Sequence, residues 1–329
     1  MPLEAISSAA VLRDIVGRVE GIADLGDGAF EVRVGLATAT TGLEAGQLMS
    51  MLFGNASILE DVALADAELP ADVVEAFGGP RHGLAGFRAR LGVADRALTA
   101  SALKPQGLTP AQLGDLASRL ADGGIDLIKD DHGLADQSYS RFADRVAAVT
   151  QRLRPADAVG RYLPSLSGHL DQLRAQVRIA NDHGVGAVVV APMIVGLPAF
   201  HALVREFPDT AFMAHPALAG ATRISPSLLL GTLFRLFGAD ATIFPTHGGR
   251  FGYSRETCGA LATATLRPWR GLRAGAPVPA GGMTLDRVEE MLEFYGRDVI
   301  LLIGGALLAA GSDLTGQAQA FARRVAAGC

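Results

Sequence analysis

From about residue 94 onward, short apolar runs of β type alternate with amphipathic segments of helical period, eight times over. The runs lie at 97–104, 125–130, 161–165, 187–191, 211–214, 241–244, 278–280 and 299–303. Between them, 110–121, 139–153, 170–182, 226–237, 255–264, 285–295 and 314–326 repeat apolar residues at helical spacing, and 199–206 is a shorter helix. Continuous apolar strands separated by helices are what a parallel sheet covered on both faces requires. Eight such units predict an α/β fold that closes into a (β/α)₈ TIM barrel over 94–329, with an open doubly wound sheet as the second choice. A chain of 329 residues, 49% hydrophobic, can fill a core of that size.

Residues 1–93 read differently. The stretch 30–36 alternates like a strand, 43–52 has helical period, and Gly78-Gly79-Pro80 breaks the chain. They predict a small α+β N-terminal domain packed against the barrel. The net charge is −5, with both signs spread along the chain and no basic block, which argues against nucleic acid as a partner. The apolar stretches 185–200 and 299–310 are too short to span a membrane and are cut by Gly or Pro. They read as buried strands running into loops. The start Met1-Pro2-Leu3-Glu4 has no charged-then-apolar leader, and Cys258 and Cys329 show no pairing pattern. The expected location is a reducing cytoplasm.

Only two of the 29 basic residues are lysine, Lys104 and Lys129. A guanidinium stays protonated, whereas a buried lysine can lose its proton and act as base or nucleophile. Both lysines fall at the C-terminal ends of adjacent predicted strands, the rim where this fold carries its chemistry. Lys129 and Asp131 are two apart and share one face. The plain alternatives are two leftovers of an arginine-biased composition, a structural ion pair in Lys129-Asp130-Asp131, and a Lys104 that simply pairs with Asp131.

The run Gly123-Gly124-Ile125-Asp126-Leu127-Ile128-Lys129-Asp130-Asp131-His132 follows Ser101-Ala102-Leu103-Lys104-Pro105-Gln106-Gly107-Leu108 by one helix. Together with Gly54-Asn55, with Gly79-Pro80-Arg81-His82-Gly83-Leu84-Ala85-Gly86 and with the glycine pairs after strands seven and eight, they resemble the RuBisCO superfamily, in particular its RuBisCO-like proteins of form IV type. The likeness is collinear over about residues 50–310. It implies a truncated, ferredoxin-like N-terminal domain before the barrel.

The resemblance also implies a site. The lysine matching Lys129 is carbamylated by CO₂ in the family, and the carbamate with two acidic residues binds Mg²⁺. The carbamate turns a cation into the anionic oxygen ligand that a hard metal prefers. Asp131 matches the middle ligand. The third position, usually Glu, is His132, and imidazole favours other divalent metals over Mg²⁺. Either His132 replaces the carboxylate, the metal differs, or no carbamate metal site forms; His132 is a ligand or a group behind the ligands. Lys104 matches the family's acid–base lysine, and His215, in Met213-Ala214-His215-Pro216, matches an active-site histidine, with a satisfied core histidine as the alternative. Gly281-Gly282 and Gly304-Gly305 stand where barrel loops offer backbone N–H groups to a phosphate. A bare glycine pair is also an ordinary turn. Ala280 stands where the family often has serine.

After strand six comes Thr246-His247-Gly248-Gly249-Arg250-Phe251, with no lysine where the carboxylases carry one, and Gln106 replaces a second family lysine. CO₂ fixation is thereby argued against, and Arg250 or His247 is left to bind substrate. His169 is a weak candidate, and His183 reads as a helix C-terminal residue. Asn55 matches an asparagine that reaches the neighbouring subunit's site, which implies a homodimer or larger homo-oligomer; on spacing alone it is a turn residue. The implied activity is metal-assisted enolisation of a phosphorylated ketose, first of all isomerisation of 5-methylthioribulose 1-phosphate. A decarboxylase of a 3-oxo sugar-acid phosphate and a diketo-phosphate enolase are the alternatives. A Schiff-base aldolase using either lysine and a non-catalytic binding barrel are the readings of other classes.

Overall fold

The computed structural model describes residues 3–153 and 159–328; Met1, Pro2 and Cys329 lie outside the described residues. In the N-terminal part a short helix, Ala9–Asp14, precedes a hairpin of β1 (Arg18–Gly26) and β2 (Ala29–Gly35). Asp27 and Gly28 both take positive φ, 54° and 78°, the turn that matches the twist of antiparallel strands. β2 is the strand expected from the alternation at 30–36. β1 was not foreseen, because register shifts at Val19/Gly21 and Asp24/Gly26 break its period-two pattern. One face of the hairpin carries Val19, Ile22, Phe30, Val32 and Val34, all exposed. Helices Ala45–Phe53, Ala71–Phe77 and Gly83–Leu91 lead into the barrel.

Eight strands follow: β3 (Leu98–Leu103), β4 (Leu127–Asp130), β5 (Tyr162–Leu163), β6 (Ala187–Val190), β7 (Ala211–Ala214), β8 (Ala241–Pro245), β9 (Ala276–Ala280) and β10 (Ile300–Leu302). They form two parallel sheets, ordered β10-β3-β4-β5 and β6-β7-β8-β9. A bridge between Ser165 and Val189 joins β5 to β6, and β9 lies beside β10, so the ring closes. The strands are shorter than the apolar runs suggested. β5 is the extreme case, because the proline at 164 has no N–H to give and only its carbonyl bonds onward, to Val189.

Every barrel strand is buried on both faces, as its unbroken apolar run requires. Leu98, Ala100, Leu127, Leu163 and Met213 point inward with their counterparts, while the alternate residues pack against the helices. Leu84 and Phe87 of helix Gly83–Leu91 join the inner cluster and plug one mouth. That helix is held at the N-terminal ends of β8 and β9: Asp240 Oδ1 accepts from the His82 and Gly83 amides at 2.6 and 2.7 Å, and Leu84 N donates to Ala274 O. Gly83 is required there, since a Cβ would lie 2.2 Å from that carbonyl.

Two expectations change. The runs at 185–200 and 299–310 do not enter loops after β6 and β10: the chain turns into helices Pro192–Val195 and Gly305–Leu308, and the short helix expected at 199–206 is present as Leu197–Glu206. Proline at the first turn of a helix costs no hydrogen bond, so Pro192 and Pro198 start helices rather than stop them. Among the described residues no helix is long and apolar enough to cross a membrane.

Candidate active site

The open mouth, opposite the plug, gathers the two lysines. Lys104 follows β3 and its Nζ lies 3.0 Å from Asp131 Oδ1. The same oxygen is 3.3 Å from His132 Nδ1. The His132 ring stacks on His215 at 4.4 Å and 8°. Lys129 is nearly sealed, 4% exposed, and donates to the Asp130 carbonyl at 2.6 Å. A methyl group at Gly304 would lie 3.8 Å from Lys104 Cε, so the strand-eight glycines border the same cluster. Lys104 and Gly305 also share a groove of about 460 Å³ with Leu116, Leu308 and Leu314.

The electrostatics follow from this packing. Burial lowers the Lys129 pKa to about 8, against the opposing pull of Asp131. Asp131 also feels burial, which raises its pKa, but hydrogen bonds from His132 and Lys104 and the charge of both lysines win and hold it well below the usual carboxylate range. Burial first, then Lys129 and His132, drive the His215 pKa far down, so its ring is neutral. Its Nδ1 accepts from Ala217 N at 3.1 Å, which leaves the ring proton on Nε2, available as a donor.

Asp130 faces the other way. It is fully buried between the barrel wall and helix Phe142–Arg152, where Arg145 Nε lies 2.8 Å from its Oδ2 and the Tyr162 hydroxyl donates to its Oδ1 at 2.9 Å. Arg145 also donates to the carbonyls of Ala135 and Ser140, pinning the loop that carries Asp131 and His132. Of the two adjacent aspartates, then, only Asp131 reaches the mouth. Arg145 and Tyr162 were not singled out in the sequence, because their link to Asp130 spans an inter-element gap that no local spacing reveals.

The profile of the family described as ribulose bisphosphate carboxylase large chain, catalytic domain, matches residues 83–329. The chain is a RuBisCO-family protein. It is 60% identical over 331 aligned positions to the 5-methylthioribulose-1-phosphate isomerase of Rhodospirillum rubrum, covering 99% of this chain and 88% of that one. The crystal structure of the Rubisco-like protein from Rhodopseudomonas palustris superposes with a TM-score of 0.92 at 56% identity, covering 99% and 89% of the two chains. The 2,3-diketo-5-methylthiopentyl-1-phosphate enolase of Geobacillus thermodenitrificans is 31% identical, covering 94% and 81%.

The other residues expected in this RuBisCO-like site distribute unevenly. Gly281 and Gly282 take φ of +83° and +116° after β9, and Arg250 N donates to Gly281 O at 2.9 Å. A Cβ on Gly282 would meet Arg250 N at 2.8 Å, so the glycine lets the two loops touch. Arg250 is exposed and its guanidinium lies over Phe251, 4.9 Å from the ring centre. His247 does not join the cluster. Its ring packs edge-on against Phe294 at 4.7 Å, with Nδ1 3.7 Å from Glu290. His169 is the N-cap and His183 the C-cap of helix Leu170–Asp182. Asn55 starts the exposed turn Asn55–Ile58 in the N-terminal part.

As free side chains the cluster is not a metal cage: among the described residues no three of His, Cys, Asp or Glu stand close enough to hold an ion. An anionic group on Lys129 would supply what is missing. Two observations fit it. The amine is buried and its pKa is lowered, and the Ser165 hydroxyl, buried just past the neighbouring strand, has no partner. Lys129, Asp131 and His132 are thus the residues that would hold a divalent ion. Ser165 went unremarked in the sequence, although its parity with Leu163 marks it as inward-facing.

Proposed function

We propose that this chain is a 5-methylthioribulose-1-phosphate isomerase, a member of the RuBisCO family that enolises a phosphorylated ketose and fixes no CO₂ into it. The observation that carries the reading is the convergence of its only two lysines on Asp131 at the open barrel mouth, beside the strand-eight glycines. The 60% identity to the Rhodospirillum rubrum isomerase favours reprotonation over the diketo-phosphate tautomerisation named for relatives at 31%. No lysine follows β8, which removes the group the carboxylases place there.

In this reading residues 1–93 form a small α+β N-terminal domain and 94–329 the catalytic barrel. Gly281, Gly282, Gly304 and Gly305 offer backbone N–H groups to the phosphate, and Arg250 adds charge. Lys129 in its carbamylated form, Asp131 and His132 would hold a divalent ion, Mg²⁺ or another suited to His132, which would supply Lewis-acid polarisation of the substrate carbonyl. Lys104, whose amine lies 3.0 Å from Asp131 Oδ1 at the open mouth, passes the proton between the reacting carbons. The neutral His215 donates from Nε2 to a substrate oxygen. The enzyme acts in the cytoplasm as a homodimer or larger assembly, in which Asn55 completes the partner's site. The exposed Ile58 and Leu59 beside it support such a contact.

The test is exchange of substrate carbon-bound hydrogen in deuterated water, followed by NMR with 5-methylthioribulose 1-phosphate. Lys104→Ala is expected to abolish exchange while leaving the fold intact. Exchange at the wild-type rate in that variant removes Lys104 from the chemistry. Borohydride trapping of substrate on either lysine replaces the reading by Schiff-base chemistry.

A further inference from the structure

Ser165 is 3% exposed, and its hydroxyl has no hydrogen-bond partner. Buried polar groups are nearly always satisfied, so an orphan asks for an explanation. Its direction is set by the sheet. Ser165 bridges Val189, whose side chain is inside the barrel, and it lies two residues beyond Leu163, also inside. Residues paired across parallel strands share a face, so the hydroxyl faces the barrel interior. Ser101, another buried orphan hydroxyl, alternates with the inward Ala100 and belongs to the helix side.

Lys129 is flanked in register by Ala102 on one side and Leu163 on the other, and neither side chain has a donor. One position further up the inner face, next to Asp131, stands Ser165. Asp130 ties the two strands together at this level. Its backbone carbonyl takes the Lys129 amine at 2.6 Å, and its Oδ2 takes the Ser165 amide at 3.1 Å. Arg145 and Tyr162 hold that carboxylate from behind. One fully buried residue therefore sets where both the amine and the hydroxyl sit.

We propose that Ser165 is a positioning residue for Lys129, its hydroxyl donating a hydrogen bond to the carbamate that CO₂ forms on that amine. The proposal rests on the carbamate reading above. In that step the neutral amine nitrogen bonds to the CO₂ carbon, one C–O π bond opens to an anionic oxygen, and one proton leaves nitrogen for water. The product presents acceptors where the amine presented donors. A hydroxyl with no other hydrogen-bond partner can turn its O–H toward the acceptor oxygens of the product.

The experiment is ¹³C NMR of the protein in ¹³C-bicarbonate with Mg²⁺, titrating CO₂ for wild type, Ser165→Ala and Ser165→Cys, with thermal melts of each without CO₂. The wild type is expected to give a bound carbamate signal that Lys129→Met lacks. Ser165→Ala is expected to need about tenfold more CO₂ for half-labelling, the loss of one hydrogen bond to a charged group. Ser165→Cys, a near-isostere with a weak donor, is expected to fall between. KM for 5-methylthioribulose 1-phosphate is expected to stay within about twofold, and the melting temperature of Ser165→Ala to equal or exceed the wild type, because an unsatisfied hydroxyl is removed. Labelling of both variants at the wild-type CO₂ concentration overturns the role of Ser165 and leaves the carbamate reading standing. A lower melting temperature for Ser165→Ala also overturns it, since the hydroxyl would then have a structural partner. Absence of a carbamate in the wild type overturns both.

Discussion

The two mouths of the barrel treat buried charge in opposite ways. At the plugged mouth, Asp240 accepts three backbone N–H groups, from His82, Gly83 and Phe212. Asp126 there is gripped by both Arg96 terminal nitrogens at 2.6 and 2.7 Å and caps Thr99. Both carboxylates are spent on joining elements. At the open mouth, Asp131 shares one oxygen between Lys104 and His132, Lys129 is buried with only a backbone carbonyl as partner, and the Ser165 hydroxyl has none. Satisfied networks hold elements together; groups left underpaired keep hydrogen-bonding capacity free for a ligand. The difference matches the division of labour in barrels, where stability belongs to the N-terminal face and chemistry to the C-terminal one. Asp130 and Asp131 compress the same contrast into adjacent residues, because a strand sends one to the helix layer and the next to the interior.

That contrast can be broken by substitution. The largest expected effect is at the open mouth. Lys129→Met should reduce isomerase turnover by about 10³-fold or more through loss of the anionic metal ligand, yet leave the melting temperature unchanged or raised, since a buried amine is replaced by an apolar chain. Turnover and a thermal melt on the same sample decide this; a fall in both would make Lys129 a structural residue like those below. At the plugged mouth the opposite split is expected. Asp240→Ala orphans three amides and should cost about 3 kcal/mol of stability in denaturant titration, while turnover per folded molecule holds. If turnover collapses with the fold intact, the two ends are coupled.

A smaller effect tests the poise of Lys129 directly. CO₂ adds to the neutral amine, and the folded pKa is lowered to about 8, so the neutral fraction grows as pH rises through that value. The rate of CO₂ uptake should therefore rise about tenfold from pH 7 to pH 9 and flatten above pH 8, where a solvent-exposed lysine would still be climbing toward pH 10. Stopped-flow activation by CO₂ at fixed free CO₂ measures it. A profile that keeps rising past pH 9 would mean that burial does not tune this amine.

The sequence alone determined the barrel, because eight apolar runs at helix-spaced intervals leave few ways to bury them, and both faces of each strand had to be covered. It also singled out two amines at adjacent strand ends, since a composition that holds only Lys104 and Lys129 against many arginines marks them before any coordinates exist. The pairing of Lys104 with Asp131 was legible too, from strand ends on adjacent elements. Tertiary structure alone decided the rest. The hairpin strand β1 was hidden by bulges that erase alternation. His247 carries the right chemistry in the right loop, but packing against Phe294 turns it toward a helix. Asp130 and Asp131 look equivalent as letters and are separated by the pleat. Ser165 is set on the inner face, two residues beyond the Leu163 that pairs with Lys129, only by strand register. Local pattern specifies which residues are buried, through free energy of transfer that each residue contributes by itself. Which buried groups meet is a property of register and of contacts between distant segments, and no single segment encodes them.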